Sequence, residues 1–483
     1  MSLTLRPYQS AMLDAARAAM QQHRRILLVS PTGSGKTALT VSMMRTAAKR
    51  GLTSMFCVHQ NELLRQTSRA LWAQQLEHGV VAAGKRHSKL PAQVASVQTL
   101  VRRLDAYPEP NLIVVDEAHR GISPVYMRIF NHWPRARIVG LTATPERTDG
   151  KGLGQIFETI VEGPTIRSLI DDGWLCAFEL MAPPQTVDLD GVRTSMGDFD
   201  QAEVESRMDK PAITGDAVEH YAKHARGKRC VVMCVTIKHA EHVAEQYRAA
   251  GVPAECIHGW LSDGEREAAL QRFARGQTLV LTNVQLMVEG VDIPSIEVVQ
   301  WLRPTKSLII WMQGNGRGLR PSPGKNRLLI LDHVGNWSRP GFGMPDDPRV
   351  WSLEGRKERQ KREPVESFEV KQCEMCYTVY RAHLAACPNC SAAAKPTQRE
   401  IEVVAGELAK IEQRHERREQ GKARTLHDLV ALGMRKGMTK PAEWAAIMVA
   451  ARVGRKPGPV EFAEARKVHA GIVAAAAPSE PVF

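Results

Sequence analysis

Short apolar runs separated by polar and amphipathic stretches set the plan of this chain. Ile26–Val29, Ser54–Val58, Leu112–Val115 and Ile138–Thr142 are compact apolar runs, each with polar residues directly after it. Runs of this length predict strands buried on both faces of a mainly parallel sheet. Helix-like segments follow, at Ala38–Met44 and from His59–Gln66 onward. The alternation then pauses. Gly163-Pro164 and Ala182-Pro183-Pro184 bracket an amphipathic segment, and Asp188–Asp200 is polar and irregular. It resumes at Arg229–Val235, with a helix around His239–Ala250 and a strand over Thr278–Asn283. Beyond Gly335 the pattern changes: Gly335–Pro348 is rich in Gly, Pro and Trp, and Arg356–Arg362 is dense in charge, predicting a linker or basic helix. The C-terminal part reads helical over Ile401–Gln420, Leu426–Met434 and Glu443–Arg452, ending in an Ala-rich tail expected to be mobile. Two α/β domains are predicted over 1–180 and 181–345. A basic linker (346–370), a small cysteine module (371–394) and a helical basic region (395–483) complete the expectation.

Length agrees, since 483 residues exceed one ordinary core. A 43% hydrophobic and 24% charged composition describes a globular protein. No apolar run is long enough to span a membrane. The N-terminus lacks the pattern of a signal peptide, so cytoplasmic residence is expected. The net charge of +13 favours a polyanionic partner, a weak signal by itself.

The most specific stretch is Ser30-Pro31-Thr32-Gly33-Ser34-Gly35-Lys36-Thr37, between the first strand and its helix. A strand, a Gly-rich turn and a helix N-terminus present backbone N–H groups and positive partial charge to a phosphate. The spacing is that of a P-loop, with Ser30 in place of the usual first Gly. Lys36 would reach the β- and γ-phosphates of ATP, and Thr37 would ligate Mg²⁺. Upstream, Arg6-Pro7-Tyr8-Gln9 suits an adenine reader, because the Gln9 amide offers a donor and an acceptor while Arg6 or Tyr8 flanks the base. A plain helix start is the bland alternative. Asp116 and Glu117 close a buried strand. Two adjacent carboxylates repel unless a cation joins them, so Asp116 is assigned to Mg²⁺ and Glu117 to the attacking water. Gln60, Arg65, Gln98 and Thr99 follow strands on the ligand-facing edge of the sheet, where they could hold nucleic-acid phosphates or simply cap helices.

Arg6–Gln9, the P-loop, Asp116-Glu117-Ala118-His119 and Thr142-Ala143-Thr144-Pro145 resemble, in order and spacing, the Q motif and motifs I, II and III of the superfamily 2 helicases with a DEAH box. In the second half, Thr282 and Val288–Pro294 resemble motif V. Gln313-Gly314-Asn315-Gly316-Arg317-Gly318-Leu319-Arg320 resembles motif VI. The resemblance implies tandem RecA-like domains with ATP in the cleft. It implies that Thr282 touches nucleic acid, that Gly290 and Asp292 lie against the ribose, and that Gln313, Arg317 and Arg320 act on the γ-phosphate. Arginines three apart share one helix face. Gly314 and Asn315 depart from the usual motif, leaving the helix start open.

Of nine cysteines, Cys373, Cys376, Cys387 and Cys390 form two C-x-x-C knuckles, the spacing of a structural Cys₄ zinc site. With this module after the core, the chain resembles the RadD-type bacterial repair ATPases and phage-encoded DEAD/DEAH helicases. That likeness implies a DNA helicase or translocase. The motifs alone leave open an RNA helicase, or a DNA-stimulated ATPase that switches a repair or replication partner without unwinding.

Overall fold

The computed structural model describes residues 4–120, 123–146, 152–182, 191–195, 198–208, 211–284, 296–354, 370–393, 423, 425–452 and 456–476. It divides into two compact units, Met1–Ala394 and Lys395–Phe483.

The larger unit contains two α/β domains. The first is built on β1 (Arg25–Val29), β2 (Ser54–Val58), β3 (Gly79–Val81), β4 (Ala92–Ser96), β5 (Leu112–Val115), β6 (Arg137–Thr142) and β7 (Thr159–Glu162). These pair in parallel in the order β3-β4-β2-β5-β6-β1-β7. β2 is buried at every position, which is why it reads as a continuous apolar run; β4 is equally buried but carries Gln93 and Ser96, so the sequence did not mark it as a strand. Helices α1 (Pro7–Gln22), α2 (Lys36–Lys49), α3 (Asn61–Ala73), α4 (Val97–Leu100) and α5 (Pro124–His132) cover the sheet. Two apolar layers result, one around Leu27, Ile113 and Phe130, the other around Leu28, Val94 and Val139.

After α6 (Ile166–Asp171) comes β8 (Ala177–Met181), which joins the second sheet rather than the first. Ile166 and Leu169 already belong to the second core. The domain change therefore falls near Gly163-Pro164, ahead of the boundary expected at 180; Pro183 and Pro184 lie outside the described residues. A hairpin of β9 (Thr194–Ser195) and β10 (Asp198–Phe199) lies within the stretch expected to be irregular. Helices α7 (Gln201–Met208), α8 (Pro211–His224), α9 (Ile237–Ala249), α10 (Asp263–Ala274) and α11 (Leu308–Gly318) surround β11 (Cys230–Met233), β12 (Ala254–Ile257), β13 (Val280–Asn283), β14 (Val298–Trp301) and β15 (Arg327–Asp332).

The second sheet runs β12-β13-β11-β14-β15-β8 in parallel and then continues into the cysteine module. Its strands β16 (Val370–Gln372) and β17 (Thr378–Arg381) pair antiparallel, and β17 pairs antiparallel with β8. The module is thus the edge of the second domain's sheet, where the sequence suggested a separate body. The stretch expected as a linker is also packed where it is described. Trp351 packs against both domains, and the Gly154 N–H donates to the Leu353 carbonyl at 3.0 Å. The charged run 356–362 and the helix expected over 401–420 lie outside the described residues.

The smaller unit packs α12 (Leu426–Arg435), α13 (Pro441–Arg452) and α14 (Pro459–Ala476) around Leu429, Val430 and Ala445. Thr425 starts α12 by accepting from the Asp428 N–H at 3.1 Å, while the Asp428 carboxylate accepts from the Thr425 N–H at 3.0 Å. No helix among the described residues is long and apolar enough to cross a membrane.

Candidate active site

The loop after β1 is shaped by two glycines in the left-handed region, Gly33 at φ 90° and Gly35 at φ 81°. Ser30, where the pattern usually has Gly, is fully buried, and its hydroxyl donates to Ser34 Oγ at 2.7 Å. The departure therefore adds a hydrogen bond inside the loop. Lys36 opens α2, and its ammonium donates to the Ser30 carbonyl at 3.3 Å. Burial lowers its pKa; Glu117 and Asp116 oppose that shift, while Arg320 and Arg317 add to it. The lysine thus stands within electrostatic reach of the acidic pair and both motif VI arginines. Thr37, next along α2, is exposed.

The Q-motif residues fold onto this loop. Gln9 Nε2 donates to the Ser34 carbonyl at 2.8 Å, and the Tyr8 hydroxyl donates to the same oxygen at 2.7 Å. Gln9 Oε1 accepts from the Arg6 N–H at 3.0 Å. Both ends of the Gln9 amide are engaged by protein, so here it braces the loop. Arg6 stacks over Trp174 at 4.6 Å and donates to the Tyr8 hydroxyl. Trp174 was not singled out in the sequence; it lies between α6 and β8, where no motif marks it.

Asp116 and Glu117 follow β5. The Glu117 N–H donates to Asp116 Oδ1 at 3.0 Å, and Glu117 itself takes φ 48°. That left-handed backbone costs a non-glycine residue roughly 1–2 kcal/mol. It turns the Glu117 carboxylate toward the second domain, where Gln313 Nε2 donates to Oε2 at 3.1 Å. His119 Nδ1 lies 3.4 Å from the same oxygen and 3.3 Å from Thr142 Oγ1. Acid, histidine, hydroxyl and amide therefore form one chain across the cleft.

Gln313 and Arg317 project from α11, whose N-cap is Ser307. The helix start is thus well ahead of the unusual positions, and these have local reasons. A Cβ at Gly314 would lie 2.7 Å from Trp301 Cζ2, and Asn315 Oδ1 accepts from Trp301 Nε1 at 2.9 Å. Arg320 lies beyond the Leu319 C-cap, so the two arginines do not share a helix face as expected. Arg320 still reaches the P-loop, since its Cγ is 3.2 Å from where a Gly33 Cβ would stand.

The residues expected to hold nucleic acid separate. Thr282 is fully buried, and its hydroxyl donates to the Ala240 carbonyl of α9 at 2.7 Å, so it faces the core. Arg65 pairs with Asp263 of α10 at 2.7 Å, an ion pair between the domains. Gln98 Nε2 donates to the His59 carbonyl at 3.2 Å. Gln60 is the N-cap residue of α3, and Thr99 lies on α4. Gly290 and Asp292 are outside the described residues.

The four cysteine sulfurs lie within 4.8 Å of one another, with Cys373–Cys390 at 3.6 Å and Cys376–Cys387 at 3.5 Å. Tetrahedral zinc with bonds of about 2.3 Å needs sulfurs about 3.8 Å apart. The knuckles also share one backbone pattern. Cys373 O accepts from Tyr377 N and Cys387 O from Ser391 N, at 2.8 and 2.9 Å. Tyr377 and Ser391, each directly after the knuckle's second cysteine, take φ 60° and 59°. The donor set fits zinc. His383 is exposed, outside the four-cysteine cluster.

Two family models match: "Type III restriction enzyme, res subunit" over residues 2–147 and "Helicase conserved C-terminal domain" over 211–322. A 51.5 kDa protein of a Lactococcus phage (isolate 7-9) is 28% identical over 366 residues, covering 75% of this chain and 77% of its own. A Saccharomyces cerevisiae protein with the provisional name ATP-dependent helicase IRC3 is 29% identical, covering 68% of this chain and 51% of its own. This chain thus spans about half of the yeast relative. Among solved structures, a fragment provisionally assigned as the HsdR subunit of a Vibrio vulnificus type I restriction enzyme matches with a TM-score of 0.57 at 21% identity. It covers 70% of this chain and 65% of its own, a likeness of fold.

Proposed function

This chain belongs to the superfamily 2 helicases, and from that membership we propose a DEAH-box motor that couples ATP hydrolysis to movement on, or remodelling of, DNA. The observation that carries the reading is the Gln313–Glu117 hydrogen bond, which ties the second domain to the carboxylate assigned to the attacking water. ATP·Mg²⁺ would sit on the P-loop, with Thr37 and Asp116 at the metal and Lys36 on the phosphates. Glu117 would orient and polarise the water. Arg317 and Arg320 would stabilise charge developing on the γ-phosphate. Once the cleaved phosphate departed, the arginines would lose their anionic partner, the reason for the domains to stay together would weaken, and cycles of closure would become steps along a strand.

DNA is favoured as partner because the first-domain model and the matched fold are both named for restriction enzymes, and because the chain carries a net charge of +13. Stepping along a strand would need phosphate contacts from both domains. Gln60, Gln98 and Thr99 remain proposed for the first. Zinc in the Cys₄ module is proposed as structural, since four thiolates leave no open coordination position.

The test is ATP hydrolysis with no nucleic acid, single-stranded DNA, forked DNA or RNA, followed by strand displacement on the fork. Stimulation by DNA with displacement supports the proposal. Stimulation by RNA alone replaces the substrate class. DNA stimulation without displacement favours the regulatory switch.

A further inference from the structure

The last turn of α11 carries Arg317 and leads directly into Arg320, and its carbonyls would be orphaned without partners. No glycine C-cap closes this helix. Its end is instead held by residues from outside it. Lys325 Nζ donates to the Gly318 carbonyl and, at 2.9 Å, to the Arg320 carbonyl. The Cys176 N–H donates to the Leu319 carbonyl at 2.9 Å, and Cys176 Sγ lies 3.6 Å from the Gly318 carbonyl.

The sequence after Arg320 is built to bring the ammonium back. Ser322-Pro323-Gly324-Lys325 closes a turn in which the Lys325 N–H donates to the Ser322 carbonyl at 3.0 Å and Gly324 takes φ 78°. Pro at the second position and a left-handed Gly at the third are the requirements of a type II turn. Lys325 therefore points under the helix just before β15 begins. It is 9% exposed, rare for a lysine. Burying an ammonium is costly unless strong acceptors meet it, and carbonyls at a helix C-terminus meet it with both hydrogen bonds and dipole.

Resting on the motor reading above, we propose that Lys325 is a positioning residue for Arg320: it fixes the backbone from which that arginine reaches the nucleotide. Without the ammonium, the Arg320 carbonyl loses its side-chain donor, and the segment between the helix end and the turn can rotate. Arg320 packs its stem against Gly33, so a small rotation withdraws the guanidinium from the γ-phosphate position. Nucleotide binding, made largely by the P-loop, is spared.

The experiment is a double-mutant cycle on the full chain with ATP, reading kcat, KM and the affinity for a fluorescent non-hydrolysable ATP analogue. Lys325→Met is expected to lower kcat about tenfold or more while analogue affinity is kept. Lys325→Arg, which keeps charge and donors, should recover most of the rate. In an Arg320→Ala background, Lys325→Met should cost almost nothing more, because it acts through the residue already removed. Should Lys325→Met not fold, Lys325→Gln carries the same comparison. Wild-type kcat in the charge-removing variant, or an equal loss in both backgrounds, overturns the positioning role alone. Wild-type hydrolysis in both Arg317→Ala and Arg320→Ala overturns the arginine assignment, and the positioning role with it.

Discussion

Gly316 and Thr32 meet across the cleft so closely that a Cβ at 316 would lie 2.7 Å from the threonine Cβ. One residue lies on α11 and the other in the P-loop, so the second domain's arginine helix rests directly on the nucleotide loop of the first. Within a helix, Ala is preferred to Gly by about 1 kcal/mol. Gly316→Ala sets that gain against an overpacking cost of about 1–3 kcal/mol, so thermal stability should change little while the two elements are wedged apart. Hydrolysis is expected to fall about tenfold or more. Unfolding and kcat measured on the same preparation check this, and an unchanged kcat would mean the two elements are not in contact during turnover.

Glu117→Gln keeps an oxygen that can accept from Gln313, so closure of the cleft should survive while the base is lost. The expected result is hydrolysis reduced about a hundredfold or more, with ATP still bound. Lys36→Ala should abolish hydrolysis by a different route, removing the cation that meets the phosphates. Equilibrium nucleotide binding separates the two variants. Normal turnover by Glu117→Gln would show that another group activates the water.

The strands that were legible, such as β2, are buried on both faces, leaving no polar alternation to confuse them, whereas β4, equally buried, was hidden by Gln93 and Ser96. The P-loop, Asp116 and Glu117 were legible because their chemistry is local in sequence. What escaped is what depends on distant pairing. Thr282 reads as a polar residue at a strand end, but its hydroxyl satisfies a helix carbonyl, a choice made by packing. Arg65 carries no sign of Asp263, 198 residues away. Trp351 sits in a stretch that composition marks as linker, yet two large apolar surfaces are available to it once the domains fold. Lys325 is one lysine among many until the turn before it is seen.

The position of β17 makes a prediction about metal removal. β17 pairs with β8, and Arg381 reaches the Asp346 carboxylate at 3.0 Å, so the cysteine module is continuous with the second domain's sheet. Purified protein should hold about one zinc per chain. A strong chelator, or Cys387→Ser, should release it and also lower the unfolding temperature of the helicase core. Zinc release with an unchanged core transition would show that the module's strands contribute nothing to the sheet's stability.

Asp332 and His333 make opposite demands on the second domain as pH falls. His333 is buried, stacks on His220 with ring centroids 5.2 Å apart, and accepts from Gln300 Nε2 at 2.9 Å. Burial is the main cause that pushes its pKa down to about 3, with His220 adding to it. The unfolded chain therefore takes up this proton below about pH 6.5 and the folded chain does not, so stability is lost as pH falls from 6.5 toward 3. Asp332 accepts from the Trp337 N–H at 2.8 Å, but burial prevails and raises its pKa to about 6. Here the folded chain takes the proton first, and stability is gained as pH falls from 6 toward the ordinary carboxylate range. At pH 5 the two effects are on the order of 2 and 1 kcal/mol with opposite signs, so the wild type should change little. His333→Gln retains an acceptor for Gln300 and removes the loss, so its unfolding temperature should rise relative to wild type between pH 7.5 and 5. Asp332→Asn should shift the opposite way over the same interval. Shifts of the same sign in both variants would mean that acidification acts on this domain through other groups.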